Sequence, residues 1–302
     1  MLTCSDFSPV TMEDRALFLS HYRRFPQVHS DNTFTNMVCW EEYAHYRFAH
    51  VRDSIIISST IDSRTKFRPP IGPHDPELLE DVIALCLQEG DDMPLVLVDA
   101  EARARIEQQY PDLPLYPDRN YFEYVYRAED LAMLPGSQYQ NIRRHLNRFR
   151  KNCNPIVEEI DEDNRGQVEE FLREWCEWKN CDGEPFLAYE KEAVLCAISH
   201  LRELGLSGLL IRVLGRVGAI SLFEPLNDTT LVVHFEKGLP DCEGIYKAIN
   251  AETAGRVKDR YPFINRESDM GVPGLREAKL RYHPHHMVEV FYATRDDLEA
   301  LI

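Results

Sequence analysis

Apolar positions along this chain keep two rhythms, and the switches between them mark its elements. A helical period of three to four residues runs through 12–25, behind a Thr11–Asp14 cap. Two-residue alternation then predicts strands at 45–51 and 54–60. The four prolines of 68–76 make that stretch a loop. A helix over 76–89, a buried strand over 94–100 and a helix over 101–110 follow, and 121–134 alternates before turning. A hydrophilic, basic helix spans 139–152. The pattern then restarts, with a strand at 156–161 and helices at 162–179 and 189–204. Strands at 207–215, 217–226 and 229–238 are separated only by short turn signals, which predicts a meander. A helix over 243–258, a short strand over 262–265, a short helix opened by Pro273 and a last strand over 286–293 complete the series.

The second half thus orders as β-α-α-β-β-β-α-β-α-β, and the first half is a looser version of the same series. This reads as α+β, with tandem domains of one class at 1–135 and 153–302 joined by the basic helix of 136–152.

Composition narrows the setting. The 302 residues are 44% hydrophobic and 28% charged, as in an ordinary globular chain. No stretch reaches the roughly 20 apolar residues that span a bilayer. The N-terminal stretch lacks the basic and apolar regions of a signal peptide, so a cytoplasmic protein is expected. The net charge of −17 repels phosphate backbones, so any nucleic-acid contact needs a local basic patch. Eight cysteines without a C-x-x-C pair read as reduced thiols with no structural zinc. The HPHH run at 283–286 is interrupted by Pro284 and has no neighbouring ligand at metal spacing, so no metal is expected.

Three segments carry candidate chemistry. In the basic helix, Arg144, Arg148 and Lys151 share one face and Arg143 lies on the next, a band suited to phosphate or tRNA. The alternative is a solvated helix neutralising nearby acids. In VVHFEKG, His234 and Glu236 share a strand face, and either would take a proton from an attacking amine. Lys237 and, farther on, Tyr246 join them as substrate contacts. The third segment, 264–284, sets Asn265, Arg266, Glu267 and Asp269 at a strand end beside Gly271 and Gly274. A short helix opened by Pro273 then presents Arg276 and Lys279 together. Glu267 or Asp269 would hold an ammonium, and Arg276 with Lys279 an anion; Asp269 is also a proton-acceptor candidate. The alternative is an internal salt-bridge lattice. Asp31, Thr33, Asn36 and Trp40 either line a cleft or cap a helix over an aromatic core.

Four separated motifs, SDNTFTNMVCW at 30–40, RRHLNRFRK at 143–151, VVHFEKG at 232–238 and 263–284, resemble the C-terminal domain family of phosphatidylglycerol lysyltransferase. The resemblance covers nearly the whole chain. It implies two tandem GNAT-like acyltransferase domains, each a mixed, mostly antiparallel sheet flanked by helices, with the active site in a tunnel between them. It also implies transfer of an aminoacyl group from charged tRNA to a lipid head group. The many-spanning membrane domain that precedes this region in those members is missing here, which points to a soluble branch with a small-molecule or lipid acceptor. A conventional GNAT enzyme cradles the CoA pyrophosphate on a glycine-rich turn at a helix N-terminus. The matching turn here, HFEKGLPDCEGIY, spreads its glycines apart and adds Asp241 and Glu243. The expectation is therefore an aminoacyl or acyl transferase with no tightly bound cofactor, using aminoacyl-tRNA in preference to acyl-CoA. An acyl-CoA N-acyltransferase and a non-catalytic binder of an anionic ligand or RNA end are the alternatives.

Overall fold

A computed structural model describes residues 2–301. Its fourteen strands among those residues are β1 (Ser8–Pro9), β2 (Arg47–Val51), β3 (Ser54–Ile61), β4 (Arg64–Phe67), β5 (Leu95–Val98), β6 (Tyr116–Pro117), β7 (Glu123–Arg127), β8 (Ile156–Glu159), β9 (Ser207–Val213), β10 (Arg216–Pro225), β11 (Thr230–Gly238), β12 (Phe263–Ser268), β13 (His286–Val288) and β14 (Phe291–Ala293). They form two mixed sheets, ordered β1-β2-β3-β4-β5-β14-β6 and β13-β7-β12-β11-β10-β9-β8. Helices flank both, so the α+β class with two mixed sheets is what the chain adopts.

The chain divides into two compact units that are not contiguous in sequence. The first comprises Met1–Glu123, Ser268–Pro273 and Met287–Ile302, and the second Tyr124–Glu267 and Gly274–His286. A linear division at 135 and 153 does not describe these units. The basic helix, Gln140–Cys153, is part of the second unit. The expected last strand over 286–293 is two strands, one in each sheet, because the chain leaves the ladder at Glu289 and Val290.

In the first unit the helix Pro76–Glu89 follows its sequence signals. Asp75 accepts from the Leu78 amide at 3.0 Å, Pro76 fills the first turn, and Leu78, Leu79, Val82, Ile83, Leu85 and Cys86 are buried on one side. They pack with Ile56, Phe67, Leu95, Val98, Phe291 and Leu298 into one core. β4 escapes the alternation reading because Arg64, Thr65 and Lys66 leave only Phe67 fully inside.

In the second unit, β9, β10 and β11 form the expected antiparallel meander. Val168, Phe171, Leu172 and Trp175 give the helix Arg165–Lys179 its buried stripe at helical spacing. Two cysteine pairs are bonded here, Cys153–Cys242 and Cys176–Cys181. This corrects the expectation of eight reduced thiols. Spacing along the chain gives no sign of a partner 89 residues away, as in the first pair.

Candidate functional site

The second unit's site forms where β11 and β12 part. Their parallel ladder pairs Thr230 with Phe263, Leu231 with Ile264 and Val232 with Asn265 among the described residues. Past that point side chains, not backbone, join the two strands. A β-bulge places His234 against the Leu222–Phe223 step of β10, since Leu222 pairs with Phe235 and Phe223 with Val233. The bulge directs the His234 ring, whose side chain has no solvent exposure, between two carboxylates. Its Nε2 lies 2.8 Å from a Glu224 oxygen and its Nδ1 2.9 Å from a Glu267 oxygen. Burial alone would lower the proton affinity of this ring. The hydrogen bonds and charges of Glu224 and Glu267 outweigh that and hold its pKa at about 10. At neutral pH the ring is an imidazolium that donates to both.

Glu267 reaches His234 through an unusual backbone. Its φ is +58°, a conformation that costs an ordinary residue about 1 kcal/mol. The buried Asn265 side chain compensates by accepting from the Glu267 amide at 2.8 Å. Lys279, also buried, donates to the carbonyls of Arg266 and Glu267, the latter at 2.9 Å. These two residues shape the strand end.

Arg266 donates to one oxygen of Glu236, and Asn250 donates to the other at 3.3 Å. Burial opposes the charge of Arg266, but Glu236 beside it outweighs burial and raises its pKa further. The Arg266 guanidinium also lies over the Tyr282 and Tyr126 rings, at 5.2 and 5.8 Å. Around this pair, Ser221 Oγ, Asn250 Oδ1, Thr253 Oγ1 and Arg266 Nε are buried without a protein partner. Such atoms call for water or a polar ligand group.

Lys237 is buried, paired with Glu190, and its Nζ sits 4.4 Å from the centre of the Trp175 ring. Burial lowers its pKa against the opposing charge of Glu190. The Trp175 indole donates to the hydroxyl of exposed Tyr246 at 3.3 Å. Burial raises the Tyr246 pKa.

The helix Ile245–Val257, which carries Tyr246, starts against the basic helix. Gly244 has φ of +98°, and a Cβ there would meet the His145 carbonyl oxygen and Phe149 Cβ, each at 3.2 Å. The Cys153–Cys242 bond ties the loop to the basic helix. Glu243 lies 3.2 Å from Arg148 and 3.5 Å from His145, and Asp241 2.8 Å from Arg216. Two acids, Asp241 and Glu243, thus stand where a phosphate would meet the N–H groups of this helix.

The family of the C-terminal domain of phosphatidylglycerol lysyltransferase matches residues 22–294. The chain belongs to that family. A crystal structure of a conserved protein of unknown function from Bacteroides thetaiotaomicron VPI-5482 is 30% identical, with a TM-score of 0.88 over 95% of this chain and 98% of that one. L-PGS from Bacillus licheniformis shares the fold at 13% identity and a TM-score of 0.67, over 96% of this chain and 93% of that one. FemX shares it at 10% identity and 0.56, over 98% and 99%. No curated protein matches the sequence. No described helix is long and apolar enough to cross a membrane.

Within this family member, the second unit brings His234, Glu236, Lys237, Tyr246, Asn265, Arg266 and Glu267 to one strand parting. His234 is expected as a proton acceptor, but the structure makes it a donor at both nitrogens, which removes it from that role at neutral pH. Asn265 and Lys279 are expected on a ligand, yet their polar atoms hold the Glu267 and Arg266 backbone. Asp269 belongs to the first unit and is fully buried. It takes Arg119 at 3.1 Å on one oxygen and the Gly271 amide at 2.9 Å on the other, a structural lock rather than an available base. Arg276 is half-buried on the helix Pro273–Leu280.

The basic band is partly spent within the second unit. Arg143 donates to the Leu134 and Gly136 carbonyls, Arg144 to Asn141, and Arg148 and Arg150 pair with Glu243 and Glu252. Arg144, Arg148 and Lys151 remain exposed. In the first unit, Thr33 caps the helix Phe34–Cys39 and donates to Ser30, and Asn36 donates to the same carbonyl at 3.0 Å, so these side chains serve as caps. Sequence reasoning missed Glu190, Glu224 and Trp175, each brought in from another element. The bulge at His234 leaves no sequence signal of its own.

Proposed function

We propose that this protein transfers an aminoacyl group from a charged tRNA to an amine or hydroxyl acceptor, in the parting of β11 and β12. The acidic turn before the helix Ile245–Val257 carries the choice of donor. It gives a CoA pyrophosphate an unfavourable charge, since Asp241 and Glu243 stand there. The site instead sets four carboxylates, Glu190, Glu224, Glu236 and Glu267, against three cations, Lys237, Arg266 and the His234 imidazolium, and that excess suits the ammonium of an aminoacyl donor. Family membership supports the same class of reaction.

In this reading the acceptor nitrogen or oxygen attacks the aminoacyl ester carbonyl, the carbon–oxygen bond to the tRNA ribose breaks, and the acceptor proton moves to Glu236. Arg266 fixes that carboxylate in place. A weak base is sufficient, because the attacking atom becomes acidic as its new bond forms. The proton then returns to the departing ribose oxygen. Most of the acceleration comes from positioning.

The test is transfer from a pool of labelled aminoacyl-tRNA, with labelled acetyl-CoA in parallel and cell extract as acceptor. Enzyme-dependent label leaving tRNA for a new product is expected. Label leaving only CoA would establish the acyl-CoA alternative, and binding without transfer from either donor would establish the non-catalytic one. Within an active preparation, Glu236→Gln is expected to lower kcat about 100-fold while changing KM much less.

A further inference from the structure

We propose that His21, His50 and Asp53 of the first unit form a binding site for a divalent transition metal of the zinc type, outside the transferase site. His21 closes the helix Arg15–Arg24, His50 lies on β2, and Asp53 sits in the turn before β3. One ligand atom from each lies within 4.8 Å of the others. Three residues from two elements and a tight turn thus converge on one point.

The orientation of His21 is the second observation. This buried ring has its Nε2 2.7 Å from the Ile71 carbonyl oxygen. A carbonyl only accepts, so Nε2 carries the hydrogen and Nδ1 is left with its lone pair. Protein metal sites use the same device, one ring nitrogen donating to a carbonyl so that the other is fixed as ligand. His50 and Asp53 are exposed, so a cation reaches them without opening the core.

The donor set selects the metal class. Two imidazoles and one carboxylate, with solvent in a fourth position, suit zinc and its neighbours, whereas magnesium and calcium prefer oxygen ligands throughout. Zinc bonds of about 2.0–2.2 Å would draw the three atoms closer than they stand, which the exposed His50 and Asp53 side chains allow. Arg24 is the built-in competitor. It pairs with Asp53, one contact being 2.8 Å, and both side chains are about half exposed. The metal would share or displace that guanidinium. Bound there, it would fasten the end of the helix to the β2–β3 turn.

The experiment uses the full chain, stripped with a chelator and titrated with zinc chloride against a chelating dye. One zinc per chain is expected, with a higher melting temperature in zinc than without. His50→Ala and Asp53→Asn, both at exposed positions, should each weaken binding at least about ten-fold and remove the thermal shift. Arg24→Ala should strengthen binding, a result that nonspecific surface binding would not give. His285→Ala with His286→Ala, which removes an adjacent histidine pair elsewhere, should change nothing. The proposal fails if zinc does not bind, if binding survives His50→Ala and Asp53→Asn, or if only the His285/His286 variant loses it. Transfer activity does not enter the readout, so its outcome is independent of the functional reading above.

Discussion

His234 holds its proton because two carboxylates share it, and that has a consequence in pH. Its pKa is raised from the ordinary 6.5 to about 10 in the folded chain. A raised folded pKa contributes stability that is complete below about pH 6.5 and is lost as pH rises through about 10. The melting temperature should therefore fall between pH 7 and 10, and His234→Gln should flatten that fall. An unchanged slope in the variant would show that the ring is not held as an imidazolium. Arg266 poses the complementary test. Its removal leaves Glu236, largely buried, without its cation, so Arg266→Ala should cost about 3 kcal/mol in urea unfolding. Adding Glu236→Gln should recover part of that loss, because the stranded charge goes with it. His234, Glu236 and Arg266 were legible as candidates because histidine and charge inside apolar strands are conspicuous. Their roles were not. Whether His234 accepts or donates depends on Glu224, which reaches it from β10, and no spacing reveals that.

At the scale of elements, the helix Gln140–Cys153 shows the same division. Its existence and its apolar stripe of Ile142, Leu146 and Phe149 follow from period alone. Its charge could not be assigned from the segment, because Glu243 and Glu252, the partners of Arg148 and Arg150, lie on or beside another helix far along the chain. Two jobs are therefore superposed on one face. Arg148→Glu should weaken the packing of the helix Ile245–Val257 by about 1 kcal/mol or less, as exposed pairs do, read from the shift in urea midpoint. Arg144→Glu with Lys151→Glu should instead leave the melting temperature within about a degree and lower tRNA affinity. The salt dependence of binding should become shallower by about two phosphate contacts. If the Arg144/Lys151 variant binds tRNA as tightly as the unaltered chain, the outward band is not the contact surface. The turn at Asn265–Glu267 is the clearest case of an element whose chemistry was misplaced. Asn265 and Lys279 hold one backbone kink there, while Arg266 and Glu267 reach Glu236 and His234.

For the whole molecule, the number of sheets and their class were legible, because strand and helix rhythms repeat in the two halves. The limits of the compact units were not, because hydrophobic alternation continues across Glu289 and Val290 and does not say which sheet will take each half. In the first unit β14 lies between β5 and β6, pairing Phe291 with Val98 on one side and with Pro117 on the other. Phe291 and Leu298 also pack in that unit's core. Ending the chain after residue 285 should therefore unfold the first unit, seen as loss of its amide-exchange protection, and not merely trim its edge. The position of β14 also sets an order in time. A ribosome adding about 5–20 residues per second delivers the whole second unit before it delivers Phe291. Through that interval β5 and β6 have emerged but lack the strand that will sit between them, each with an open row of backbone donors and acceptors. The nascent first unit must wait for its keystone, and it is the half of this protein that most needs shelter from neighbouring chains while translation continues.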